Sequence, residues 1–264
     1  MAGIEQRTEV WSGQYEPDYA ARGFTDKELR AERHRTFVGG RWDEMGRRQL
    51  EFLRRHGLEP DMRFLDVGCG ALRAGRFLVD HLQPGHYYGI DVNHQVLQVG
   101  YDTELDDGQR SRLPVGNLRA TDRFDADFGV TFDLAIAQSL FSHLSLNQIR
   151  LCLVRTAAVL RPGGKLYATF FERPSDAPVD EILPGGKHGR YTERNPYSYY
   201  RDDLAWAADP AQWSFRYVGT WGHPAGQRMV EYTRLDEHAR GHALRTRARR
   251  AAGRGRRTAR RLLR

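Results

Sequence analysis

The sequence predicts an α/β fold, a three-layer sandwich built on a mainly parallel seven-stranded sheet with a terminal antiparallel pair. Two observations predict it. From residue 63, short apolar segments alternate with helical segments, which requires right-handed crossovers and a sheet covered on both faces. Farther along, β-like segments at residues 213–221 and 228–234 follow each other across a short connection rich in glycine.

The N-terminal part is predicted to hold a flexible arm, residues 1–24, followed by helices over residues 25–58. The arm is polar and shows no hydrophobic period. Thr25 and Glu28 have the spacing of a capping box, which marks the start of a helix. Gly57 lies just past the second helix, where a glycine commonly ends a helix.

Residues 59–235 are predicted to form the main domain. Apolar segments mark four of its first five strands, at residues 63–67, 86–90, 132–137 and 165–171, and residues 117–124 are the candidate for the third strand. An amphipathic helix is predicted over residues 146–160, ahead of a turn that contains Pro162. Residues 172–196 form a long irregular connection, and such connections in compact domains are usually functional.

The positive net charge of +7 comes from the C-terminal tail, residues 236–264. Eleven arginines and no acidic residue lie between Ala239 and Arg264, so the rest of the chain is mildly acidic. We expect this tail to be disordered. Contact with nucleic acid or another anionic surface is expected through the tail only.

Cysteine content and hydropathy exclude several protein classes. With two cysteines, Cys69 and Cys152, the chain has no disulfide framework and no cluster of metal ligands at short spacing, so no metal site is expected. No apolar segment approaches the roughly 20 residues of a membrane span, and the charged N-terminus does not resemble a secretory signal. A cytoplasmic location without a transmembrane segment is expected.

A glycine turn follows the first strand of the main domain, at Asp66-Val67-Gly68-Cys69-Gly70. Glycines let the backbone approach a ligand, and ligands of open α/β sheets lie beyond the carboxyl ends of strands. The spacing does not match a P-loop, and Arg73 occupies the third glycine position of the dinucleotide motif. The alternative is a strand-to-helix turn without a ligand.

The next strand ends at Asp91, about twenty residues farther on. A carboxylate at that place can accept hydrogen bonds from two ribose hydroxyls. The alternative is a surface aspartate that caps the following helix. Together, the glycine turn and Asp91 predict a nucleotide-type crevice.

Four sequence blocks resemble the class I S-adenosylmethionine-dependent methyltransferases, whose fold is Rossmann-like. They are FLDVGCG at 64–70, YYGID at 87–91, FDLAIAQSLFSHL at 132–144 and LRPGGKLYATFF at 160–171. The family usually carries a third glycine where this chain has Leu72. The second half resembles a bacterial subgroup found beside sugar or natural-product biosynthesis. The resemblance implies S-adenosyl-L-methionine as cofactor.

The resemblance also implies cofactor contacts at matching positions. Asp66 would orient the turn or reach the cofactor amino group through water, and Asp91 would hold the ribose. Asp125 is the candidate for the adenine amino group, with Asp122 as its competitor. The remaining expected contacts are the backbone of Gly68, Cys69 and Gly70 along the methionine part, Val92 beside adenine, Gln138 near the methionine end, and Arg73 at the methionine carboxylate.

Methylation of a hydroxyl needs a base, and two histidines are candidates. His143 follows the fourth strand, beside the expected position of the methyl group, and His223 lies between a glycine and a proline. Trp42, Tyr197 and Tyr200 are candidates for substrate contact. For each of these side chains a purely structural role is the alternative.

The expected function is O-methylation of a hydroxylated small molecule or sugar in biosynthesis. The first alternative is an RNA methyltransferase anchored by the arginine-rich tail. Methylation at nitrogen or carbon and a cofactor-binding module without catalysis are further alternatives.

Overall fold

The computed structural model describes residues 3–7, 17–176 and 196–236. Most of the 172–196 connection and the basic tail from residue 237 onward lie outside the described residues. The N-terminal part consists of one short strand and four helices: β1 (Glu5–Arg7), α1 (Pro17–Ala21), α2 (Asp26–Arg30), α3 (Arg33–Phe37) and α4 (Trp42–Arg55).

The main domain alternates strands and helices as the sequence predicts. Its first half consists of β2 (Phe64–Val67), α5 (Gly75–His81), β3 (Tyr87–Asp91), α6 (His94–Thr103), α7 (Asp107–Arg112) and β4 (Leu118–Thr121). Its second half consists of β5 (Phe132–Ala137), α8 (Leu146–Val159), β6 (Leu160–Glu172), β7 (Ser198–Tyr199), α9 (Arg201–Ala207), β8 (Trp213–Thr220) and β9 (Arg228–Arg234).

The described strands form a sheet in the order β1-β4-β3-β2-β5-β6-β9-β8, with β7 paired to β6. The strands from β1 to β6 are parallel, and β9 and β8 are antiparallel. The predicted class is confirmed, but the described sheet has nine strands where seven were predicted. The extra strands, β1 and β7, span three and two residues. Segments this short carry no period, and only pairing with the sheet defines them.

The strand order places a crevice beside β2. The chain passes from β2 outward to β3 and β4, and then returns to place β5 on the other side of β2. The connections that leave the carboxyl ends of β2 and β5 therefore diverge, which opens a space for a ligand.

Neighbouring residues of a strand point to opposite faces of the sheet, and helices cover both faces. Phe64 packs in the cluster that contains Phe52 of α4 and Leu78 of α5. Leu65 packs in the other cluster, with Ile149 of α8. This gives the predicted three layers.

Within the predicted arm, residues 1–24, the described segments 3–7 and 17–24 contact the main domain. The guanidinium of Arg119 on β4 donates to Glu5 of β1 at 3.0 Å. The side chain of Asn93 donates to the backbone carbonyls of Tyr19 and Arg22, the second at 2.9 Å. These partners lie some 70 residues or more away along the chain, so local sequence patterns give no signal for them. The capping box at Thr25 is confirmed.

Candidate functional site

A cavity of about 580 Å³ opens beyond the carboxyl ends of the central strands. This volume lies in the range of small-molecule sites. Its lining brings together most of the residues predicted for the site: Asp66, Gly68, Cys69, Gly70, Arg73, Asp91, Val92, Gln138, His143 and His223. The other predicted residues, Trp42, Asp125, Tyr197 and Tyr200, are absent from this lining.

The glycine turn is tied to the end of β3. Gly68 has φ +76° and Gly70 has φ +55°, and the backbone N–H of Gly68 donates to Ile90 at 2.8 Å. Leu72, at the position where the resemblance leads one to expect glycine, also has a positive φ, +62°. A left-handed backbone is strained for leucine. The turn therefore keeps the glycine-type shape, and the Leu72 side chain is fully buried.

Asp91 is the anchor of the turn. Its two carboxylate oxygens accept hydrogen bonds of 2.9 Å from the backbone N–H groups of Gly70 and Asn93. Burial raises the pKa of Asp91, against these hydrogen bonds, which lower it. Each carboxylate oxygen has further acceptor capacity, so the group can still bind hydroxyls.

Asp66 lies deeper, below the glycine turn. The hydroxyl of Tyr87 donates to its Oδ2 at 3.0 Å. Burial raises the pKa of Asp66 to about 7, while the Tyr87 hydrogen bond and the Arg73 charge act in the opposite direction.

Arg73 brings a positive charge to the cavity. Its guanidinium donates to the backbone carbonyls of Val38 at 3.2 Å and Gly40 at 3.0 Å, and to Oε1 of Gln138 at 2.6 Å. Burial lowers its pKa, but an arginine stays charged at neutral pH. Within the described part of the chain it forms no ion pair, so it can receive an anionic group.

Two aromatic residues of the N-terminal part were missed by the sequence analysis. Tyr19 and Phe37 line the cavity, and their rings stack with centroids 4.9 Å apart. The Tyr19 hydroxyl also hydrogen-bonds Asp91. The only signal in the sequence was the presence of aromatic residues in an otherwise polar segment.

Trp42 lies beside the cavity wall and faces away from it. Its indole N–H donates to Glu104 at 3.0 Å. The same buried carboxylate binds Arg35 at 2.7 Å and His34 at 2.5 Å. Trp42 therefore fastens the N-terminal helices to the end of α6, and this placement does not support substrate contact.

Asp125, the candidate for the adenine amino group, does not line the cavity. Its side chain accepts from the backbone N–H of Asp127 at 3.2 Å and lies 3.6 Å from the Arg119 guanidinium. Its neighbours Thr121 and Phe124 line the cavity instead. At the end of β4 the cavity is thus lined by the side chains of Thr121 and Phe124, and not by a carboxylate.

Tyr197 and Tyr200 lie near α9, outside the cavity lining. The backbone N–H of Tyr197 donates to Ser142 at 2.6 Å. Tyr200 precedes α9, where its backbone N–H bonds Asp203 at 2.9 Å. The described lining does not support substrate contact for either tyrosine.

Two histidines also line the cavity. His143 ends a short 3-10 segment, Phe141–His143, and its side chain is exposed. His223 lies in the turn between β8 and β9, where Nδ1 accepts from Ala225 N–H at 3.1 Å and Nε2 lies 3.3 Å from Nε2 of Gln138.

Residues 65–166 match the family model described as a methyltransferase domain, which covers the glycine turn, Asp91, Gln138 and His143. These residues therefore carry a methyltransferase domain.

Solved methyltransferase structures share the fold at low sequence identity. The CcbJ methyltransferase from Streptomyces caelestis is 13% identical, with a TM-score of 0.57 over 75% of this chain and 92% of its own. DesVI from Streptomyces venezuelae is 15% identical, with a TM-score of 0.55 over 78% and 98%. CalS10, an amino pentose methyltransferase from Micromonospora echinaspora, is 20% identical, with a TM-score of 0.54 over 81% and 99%.

The cavity suits a cofactor with a nucleoside and an amino acid end. A buried carboxylate, Asp91, suits hydroxyl donors, and Arg73 suits a carboxylate. Between these two residues, a Cβ at Gly68 would lie only 3.1 Å from Leu140, which is closer than most side-chain contacts. Glycine therefore suits this position.

Two further findings concern the described residues as a whole. None of their helices has the length and apolar character of a membrane span. No three His, Cys, Asp or Glu side chains among them come together as metal ligands.

Proposed function

We propose that this chain is an S-adenosyl-L-methionine-dependent methyltransferase that methylates a hydroxyl group of a small molecule or sugar, with His143 as the general base. The observation that carries the proposal is that the glycine turn, Asp91, Arg73 and His143 line one cavity. CalS10, which shares the fold, is an amino pentose methyltransferase, so a sugar amine is the main alternative acceptor.

At the cofactor end, Asp91 would bind the ribose hydroxyls and Arg73 the methionine carboxylate. Asp66 would face the amino group, and Val92, Thr121 and Phe124 would flank the adenine. The cofactor supplies an electrophilic methyl group on a sulfonium with a neutral leaving group. The protein then has to bind and orient the acceptor hydroxyl and accept its proton.

We assign the acceptor end to the two histidines and their apolar neighbours Leu144 and Pro224, which also line the cavity. The carboxylates of the described lining, Asp66 and Asp91, both lie at the cofactor end. A protonated amine would find no carboxylate there, whereas a neutral hydroxyl needs only His143 to accept its proton. This contrast favours O-methylation.

The test uses the full-length enzyme, methyl-labelled S-adenosyl-L-methionine and paired sugars and phenols that carry either a hydroxyl or an amine at the same position. We expect transfer to the hydroxyl members. His143→Ala should lower kcat by 10²–10⁴, with unchanged cofactor affinity, and His81→Ala serves as a matched control. Transfer to amines alone, or a loss in His143→Ala below about tenfold, would contradict the proposal.

A further inference from the structure

The beginning of α4 forms one wall of the cavity. Arg41, Met45 and Gln49 line it, and their spacing of four residues places them on one face of the helix. Gln49 reaches inward, where its side-chain amide donates to Oε1 of Gln138 at 2.8 Å. Arg41 precedes α4 as its N-cap residue and starts this row at the exposed end of the helix. A positive charge therefore lies where this wall of the cavity meets solvent.

A second arginine of α4 lies beside the turn that carries His223. A Cβ built on Gly222 would lie 3.5 Å from Cζ of Arg48 and would overlap one of its terminal nitrogens, so the guanidinium packs against the backbone of the turn. His223 and Pro224, the two residues after Gly222, line the cavity. Arg48 therefore lies at the edge of the acceptor end.

In the described structure these two arginines share one carboxylate, that of Glu44. It lies 3.5 Å from Arg41 and 3.3 Å from Arg48. The three side chains are between 37% and 58% exposed. Exposed ion pairs of this kind contribute little stability, so neither guanidinium is committed to Glu44. Two positive charges beside one negative charge leave this edge of the cavity positive.

The hydrogen bonding around Gly222 is also incomplete. Within the described part of the chain, Nε of Arg48 is buried and has no hydrogen-bond acceptor. The indole N–H of Trp221, the residue before Gly222, is buried without an acceptor as well. Buried polar groups of folded proteins are nearly always hydrogen-bonded, so these donors point to a partner outside the chain. Such a partner has to supply acceptor atoms.

We propose that the acceptor of this enzyme carries an anionic group, a carboxylate or a phosphate, that binds Arg41 and Arg48 at the edge of the acceptor end. The proposal rests on the proposed function, because it concerns the acceptor of that reaction. A guanidinium binds either anion through paired N–H donors. The two arginines thus select the acceptor by its charge, and its hydroxyl lies toward His143.

Variants of the full-length enzyme separate this role from stabilisation of the helix. Arg41→Gln and Arg48→Gln each remove one guanidinium, whereas Glu44→Gln removes the carboxylate that competes with the acceptor for both. If the arginines only stabilise α4 through Glu44, all three variants lower stability and leave acceptor binding unchanged. The matched control is Arg55→Gln on the same helix, because Arg55 forms a similar exposed pair with Glu51 at 3.7 Å.

The measurement is calorimetry with glucose, glucose 1-phosphate and glucuronate as probes, with and without S-adenosylhomocysteine. Glucose tests the need for charge, and the two anions distinguish phosphate from carboxylate. We expect at least one anion to bind about tenfold or more tightly than glucose, as for hydrogen bonds to a charged group. Arg41→Gln and Arg48→Gln should each lose about tenfold in affinity for that anion. Glu44→Gln should gain severalfold, and Arg55→Gln should bind like the wild type.

Equal affinity for the three probes, or no binding of any of them, would overturn the proposal. Equal losses in Arg48→Gln and Arg55→Gln would overturn it too, and so would a loss of anion affinity in Glu44→Gln, because the carboxylate would then support the site. These titrations need no turnover. Failure of methyl transfer to hydroxyls, with the anion preference and its dependence on Arg48 intact, would therefore contradict the proposed function alone.

Discussion

The backbone N–H of Gly70 donates a 2.9 Å hydrogen bond to Oδ2 of Asp91. This bond joins the glycine turn after β2 to the end of β3, so the two sequence motifs form one unit. A change at Asp91 therefore alters both a ligand-facing carboxylate and the position of the turn.

The raised pKa of Asp66 predicts a specific pH dependence of stability. Its folded-state pKa is about 7 against an ordinary value of 3.8, so between these values the folded chain holds a proton that the unfolded chain releases. The free energy of unfolding therefore contains a contribution that is full below about pH 4 and lost as pH rises to about 7.

Asp66→Asn removes this contribution, and its side-chain amide oxygen can still accept the hydrogen bond from the Tyr87 hydroxyl. At pH 8 the variant should be more stable than the wild type, by at most about 4 kcal/mol at 1.36 kcal/mol per pKa unit. Near pH 4 the advantage should disappear. Urea denaturation of both proteins at pH 4 and pH 8 measures the free energies of unfolding. The same difference between variant and wild type at the two pH values would contradict this prediction.

Tyr19→Phe tests the contribution of the N-terminal helix to the cofactor end. The variant loses the hydroxyl that bonds Asp91 and keeps the stack on Phe37. We expect affinity for S-adenosylhomocysteine to fall about three- to tenfold, as for one hydrogen bond, in calorimetry.

The matched control is Tyr101→Phe, whose hydroxyl donates to the Leu113 carbonyl 3.3 Å away and does not line the cavity. Equal affinities in the two variants would show that the Tyr19 hydroxyl takes no part in cofactor binding.

Trp42→Phe distinguishes an anchoring role from substrate contact. It removes the N–H donor to the buried Glu104, which should lower the free energy of unfolding by about 1.5–3 kcal/mol while the acceptor KM stays the same. Denaturation and kinetics are compared with Trp206→Phe, because Trp206 is 63% exposed and should tolerate the change. Unchanged stability together with a raised KM would restore the interpretation of Trp42 as a substrate contact.

The sequence predicts those strands whose own residues form an apolar segment. The strands β2, β3 and β5 are largely apolar, and the ends of parallel strands meet at one edge. The strands β1 and β7 had no such signal, because only the edge of an existing sheet makes them strands. Glu5, for example, is held by Arg119, more than a hundred residues away.

The cofactor end was predictable for the same reason, and the rest of the cavity was not. Asp66, Gly68 and Asp91 lie at strand ends, where geometry follows from chain order. Tyr19 reaches the cavity through contacts of its helix with Asn93, which no local pattern encodes. Trp42 had the right position along the chain, but the buried Glu104 turns it away from the cavity.

The most direct test of the cofactor site is calorimetry of S-adenosylhomocysteine binding to Asp91→Asn. Asp125→Asn is the matched control, since Asp125 carries the same side chain near the same edge but outside the cavity lining. Asp91→Asn should lose at least about tenfold in affinity, as expected for hydrogen bonds to a charged group, and Asp125→Asn should bind like the wild type. Unchanged affinity in a folded Asp91→Asn variant, or an equal loss in both, would contradict the assignment of Asp91 as the ribose-binding carboxylate.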